Sequence, residues 1–83
     1  MEHMEVQFDF VEKNGGACVT KILSPGAACV IPETLSGLPV TDLGDKALAQ
    51  TGVEEVFLPR TLRRLGRYCF YGCERLSHIH FYG

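Results

Sequence analysis

From Val6 the chain alternates apolar and polar positions, with Val6, Phe8 and Phe10 on one face and Gln7 and Asp9 on the other. A period of two marks a half-buried strand. Asn14-Gly15-Gly16 follows, residue types that tolerate the positive φ of a hairpin turn. A second extended run, 17–22, then ends at the breaker Ser24-Pro25-Gly26. A three-residue loop at 14–16 sets Phe8 opposite Ile22 and Asp9 opposite Lys21. That register pairs apolar with apolar and acid with base, which favours it over a two-residue loop. Residues 6–29 are therefore expected to form a β-hairpin cap. Residues 1–5 show no pattern and are set aside as a tail outside the fold.

Beyond the hairpin the pattern repeats. At an offset of 22, Val40/Leu62, Leu43/Leu65, Gly44/Gly66, Ala47/Cys69 and Leu48/Phe70 match in character. One inserted residue later, at an offset of 23, so do Val53/Leu76, Val56/Ile79 and Leu58/Phe81. Ile31-Pro32 and Leu58-Pro59 open the two units, and the first carries five extra residues around Leu35-Ser-Gly-Leu-Pro39. Eight coincidences in one register predict a solenoid of two stacked units, 30–58 and 59–83, and the period falls in the leucine-rich range of roughly 20–29 residues. Val53–Leu58 and Leu76–Phe81 read as strands with their first, fourth and sixth residues inward. Gly44 and Gly66 open tight turns into short helical segments, 45–50 and 67–72, with Gly52 as a helix stop.

Ile31-Pro32-Glu33, Gly37–Asp45 and Leu65–Ile79 resemble BspA-type leucine-rich repeats, whose pattern runs roughly I-P-x-x-(insert)-V-T-x-I-G-x-x-A-F-x-G-C-x-x-L-x-x-I. The resemblance covers about residues 17–82. Leu48 stands where Phe is usual, Cys69 where Ala is usual, and Thr51 where the repeat Cys would be. It implies an α/β solenoid: a right-handed coil with an N-terminal hairpin cap, short strands, and short helices or 3-10 turns. It also implies a non-enzymatic protein-interaction module, the N-terminal end of a bacterial surface or secreted protein of the adhesion type. The ligand is not specified.

Composition narrows the alternatives. Apolar residues are 46% of the 83 and charged residues 22%, a globular balance rather than a disordered one. No apolar run approaches the roughly 18 residues of a membrane-crossing helix, and residues 1–5 lack a signal-peptide pattern. A chain this short buries only about 60% of its unfolded surface, and it ends where a third unit should start. Two expectations follow: a piece of a longer array, or self-association through an open C-terminal edge.

The net charge of −2 is unevenly spread, −6 over residues 1–59 and +4 over 60–83. The Arg60–Arg75 cluster suggests nucleic acid, but the repeat alignment puts Asp42 beside Arg64 and Asp45 beside Arg67, as exposed charge pairs between units. A zinc site from Cys69, Cys73, His78 and His80 is the sharpest chemical alternative. The register opposes it, because Cys69 and Cys73 fall on core positions while His78 and His80 flank the inward Ile79. No metal or other cofactor is expected, and no catalytic group, since nothing orients a base or an oxyanion hole beside a Cys–His pair. Cys18 approaches Cys29 only if their strands are adjacent, which leaves their redox state open. The outward columns Val30–Phe57–His80 and Ala28–Glu55–His78 are the binding-face candidates, with an aromatic anchor at Phe57 and Glu55 expected to neighbour His78.

Overall fold

A computed structural model describes residues 7–23 and 25–83. The tail 1–5, Val6 and Ser24 lie outside the described residues. Two sheets face each other across the core. One contains β1 (Gln7–Lys13), β2 (Gly16–Leu23), β5 (Leu38–Leu43), β4 (Thr34–Leu35) and β7 (Arg64–Leu65); the other runs β3 (Ala28–Val30), β6 (Glu55–Pro59), β8 (His78–Tyr82), all parallel. β3 straddles the expected boundary between cap and first unit.

The hairpin pairs Phe8 with Ile22 and Asp9 with Lys21, yet its loop is only two residues long, because Lys13 pairs with Gly16. Asn14 and Gly15 take φ of 55° and 81°, the left-handed pair of a tight hairpin. A bulge reconciles the two registers. Thr20 is the extra residue, and its hydroxyl donates to the Asp9 carbonyl at 3.1 Å. The five-residue insert is a second hairpin, β4–β5, turning on Ser36 and Gly37 with φ of 51° and 80°.

Every unit bonds to the next through its backbone, outside the strands as well as within them. Gly44 donates to Val19 and Gly66 to Leu43, while Lys46, Leu48 and Gln50 donate to Arg67, Cys69 and Tyr71. These bonds correct the expected short helices. Residues 45–50 and 67–72 are runs of turns, and no helix occurs among the described residues. An α-helix over 45–50 would draw the amides of 48 and 50 back to the carbonyls of 44 and 46, where they could not reach the next unit. Left-handed residues at Lys46, Gln50, Tyr68 and Gly72 keep them pointing across. Gly52 therefore stops no helix. With no helix, none is long and apolar enough to cross a membrane among the described residues.

Val19, Ile22, Ile31, Val40, Leu43, Leu48, Val53, Val56 and Leu58 are buried between the sheets. Second-unit equivalents are not covered in the same way. Leu65, Ile79 and Phe81 are 50%, 46% and 58% exposed at the C-terminal edge of the stack.

Candidate functional site

The outer face of β3–β6–β8 follows from strand alternation. Val56 and Leu58 are buried, so Glu55 and Phe57 point away from the core, and in β8 His78 and His80 do the same on either side of Ile79. The ladder pairs are Ala28–Glu55–His78 and Val30–Phe57–His80. Within the second column the rings of Phe57 and His80 stack at 4.6 Å with planes 14° apart, and His78 continues the stack at 5.8 Å and 8°. Val30, 53% exposed, extends the apolar strip.

The expected backbone neighbour and the side-chain partner of Glu55 differ. Glu55 is the ladder partner of His78, but its Oε2 reaches Nε2 of His80 at 3.4 Å. His78 instead shares a 2.9 Å hydrogen bond through Nδ1 with Ser77 Oγ, a partner the sequence reading did not single out. Ser77 in turn donates to the Glu54 carbonyl at 3.3 Å. The adjacency of Ser77 to His78 was the available signal, since a hydroxyl next to an imidazole is a local hydrogen-bond partner.

The proposed charge pairs also differ from expectation. Asp42 is the ladder partner of Arg64, but the two side chains form no ion pair within 4.0 Å. Asp45 Oδ1 accepts from the backbone N–H of Arg67 at 2.7 Å rather than from its guanidinium. The ion pairs among the described residues are Glu54–Arg75 at 4.0 Å and Glu55–His80. Both are too exposed to contribute much.

The cysteines are free thiols. Cys18 and Cys29 lie on strands of different sheets, so the adjacency a disulfide needed is absent. Cys69 is buried; Cys73 is half-buried, its thiol donating to the Leu48 carbonyl at 3.0 Å and touching the equivalent Thr51 hydroxyl at 3.6 Å. His78 and His80 are on the outer strand face instead, and among the described residues no three His, Cys, Asp or Glu side chains are placed to hold a metal ion.

Burial pushes the thiols of Cys29 and Cys69 from 9.0 to about 11, against weaker help to the Cys69 thiolate from the Leu48 and Ala47 backbone. The folded state thus holds these protons longer than the unfolded chain. The resulting stabilisation is complete below pH 9 and is lost as pH rises through 11. We expect urea midpoints to fall over that window, and Cys29→Ser/Cys69→Ser to flatten the fall. A thiol reagent at pH 8 should label Cys29 and Cys69 only after unfolding; prompt labelling in native buffer would contradict their burial.

No family model and no curated protein matches the sequence. Solved structures do. A leucine-rich repeat protein of T. pallidum superposes with a TM-score of 0.85 at 32% identity, over 88% of this chain and 36% of that one. A leucine-rich repeat protein from Bacteroides capillosus superposes with a TM-score of 0.81 at 26% identity, over 89% of this chain and 60% of that one. The chain thus spans about a third and three fifths of the lengths of these two neighbours, and its fold is that of a leucine-rich-repeat solenoid.

Proposed function

We propose that this leucine-rich-repeat segment is a non-enzymatic module that binds a protein ligand through the outer face of β3–β6–β8. One observation carries the reading: a stack of half-buried Phe57 and His80 with exposed His78, beside exposed Val30, on the outer face of a parallel sheet whose inner face is fixed by the core. Rigid aromatic surface of this kind loses little conformational entropy on binding and favours protein contacts. The BspA-type resemblance supports a secreted or cell-surface parent protein with an adhesion role, and both remain part of the proposal. Self-association through the exposed Leu65, Ile79 and Phe81 edge belongs to it as well.

The face is tested by screening the chain against peptide and glycoprotein panels and repeating each positive with Phe57→Ala and His80→Ala. Phe57→Ala should weaken a true ligand by roughly thirtyfold, the scale of an interface anchor. It should lower stability by no more than about 1 kcal/mol, the value of the lost ring stack. Lys21→Ala, exposed on the other sheet, should leave binding unchanged. Ligands indifferent to Phe57 and His80 would refute the assignment of the face. Salt-dependent binding of random oligonucleotides would instead favour the nucleic-acid reading.

A further inference from the structure

The opposite sheet carries a cleft of about 490 Å³ that the protein-binding reading does not use. Lys13 and Gly16 line it from the hairpin turn, Thr41 and Asp42 from β5, and Arg63 and Arg64 from the entry to β7. Its volume is within the range of roughly 300–1,000 Å³ typical of small-molecule sites.

The walls are held by backbone geometry. A Cβ on Gly16 would lie 2.5 Å from Thr41 Oγ1 and 3.2 Å from the Pro39 carbonyl oxygen, so only glycine lets the turn approach β5 this closely. Lys13 is the ladder partner of Gly16 across that turn. On the other side, the Arg63 N–H donates to the Thr41 carbonyl at 2.7 Å, and Arg64 pairs with Asp42 in the parallel ladder. Side chains distant in sequence are thereby brought to one cleft.

Charge decides what the cleft favours. Lys13, Arg63 and Arg64 against Asp42 give +2, in a chain whose net charge is −2. Among the described residues none of the three cations has a carboxylate within 4.0 Å. Two guanidinium groups with five N–H donors each, plus an ammonium, match a tetrahedral oxyanion. A dianion neutralises +2, whereas a single carboxylate or sulfate ester leaves an unbalanced charge. An adjoining hollow of about 240 Å³ shares Lys13, Asp42 and Arg64 and adds Asp45. Its carboxylates can accept hydrogen bonds from hydroxyl groups.

We infer that this cleft binds a hydroxylated phosphate monoester, of the sugar-phosphate kind. Arg63, Arg64 and Lys13 hold the phosphate, and Asp42 accepts from a hydroxyl of the remainder.

The test is a titration of the 83-residue chain, followed by amide chemical shifts, with glucose 6-phosphate, O-phosphoserine and inorganic phosphate. Saturable shifts are expected at residues 13–16, 41–42 and 63–64, with glucose 6-phosphate the tightest. Arg63→Gln/Arg64→Gln should weaken it by roughly tenfold or more, the scale of lost charge-assisted hydrogen bonds. Arg60→Gln/Arg75→Gln removes the same charge outside the cleft and should change affinity less than about twofold, a screened long-range effect. An equal loss in both double variants, or no saturable shift, overturns the site. Equal affinity for all three probes overturns the role of Asp42 and the hydroxylated ligand.

Discussion

Gly66→Ala is expected to separate the second unit from the first, at a cost of about 3 kcal/mol, the upper range for overpacking. A Cβ there would lie 2.5 Å from the backbone nitrogen of Asp45, 2.5 Å from the carbonyl carbon of Gly44 and 2.6 Å from Asp45 Oδ1. Those atoms cannot retreat locally. The Gly66 N–H donates to Leu43, the Arg67 N–H to Asp45 Oδ1, and Lys46 donates to the Arg67 carbonyl, all within 2.9 Å. Any shift that admits a methyl group lengthens these bonds together. Gly44 is the same repeat position one unit earlier, with its nearest neighbour, the Val19 carbonyl oxygen, at 3.1 Å. Gly44→Ala should cost about 1 kcal/mol by the same reasoning. Gly52 has nothing within 4 Å of its would-be Cβ, so Gly52→Ala should be neutral or stabilise by up to about 1 kcal/mol through the unfolded chain. Urea unfolding of the three variants should give that order. Equal midpoints for Gly66→Ala and Gly52→Ala would mean that the contact between units is looser than this packing requires.

Gly44 and Gly66 were legible in the sequence as a repeat coincidence, but the reason they matter was not. The hairpin shows the same division. Alternation located both strands and paired Phe8 with Ile22, whereas the loop length depended on a bulge. Its trace is the spacing of Val19 and Ile22, two polar residues apart instead of one, so that both remain inward on β2. In the turn segments, Ala47, Leu48 and Cys69 are buried where helical spacing would also bury them. Apolar periodicity over six residues does not distinguish a helical turn from a coil that bonds to its neighbour. The deciding information is the array of amide donors across units, which is a property of stacking.

The candidate face was legible to the level of columns, because parallel strands in register place residues 23–27 apart side by side. Ring stacking of Phe57 on His80 and the choice of His80 by Glu55 depend on rotamers, which alignment does not encode. For the cleft even the columns are insufficient. Lys13 comes from the cap, Asp42 from the first unit and Arg64 from the second, and the close seat of Gly16 on Thr41 brings the cap into range.

Leu58→Ala and Phe81→Ala should differ sharply although they truncate the same position of successive units. Leu58 and Phe81 are partners in the parallel ladder, and both side chains point to the inner face. Leu58 is fully buried beneath the second unit, so its truncation leaves a cavity that β8 on one side and β3 on the other prevent from collapsing. A loss of about 3–4 kcal/mol is expected, enough to unfold much of a domain whose total stability is of order 5 kcal/mol. Phe81 is the larger side chain, yet 58% of it is in solvent. Its truncation should therefore cost only about 1 kcal/mol in dilute solution. The contrast also tests edge-to-edge association. When a second copy covers the edge, Phe81 becomes a core residue of the pair, and the penalty for Phe81→Ala must grow with protein concentration while that for Leu58→Ala stays constant. Sedimentation should then show dimers for the parent chain and fewer for Phe81→Ala. A concentration-independent Phe81→Ala penalty, with monomers throughout, would show that the Leu65–Ile79–Phe81 edge does not associate with itself.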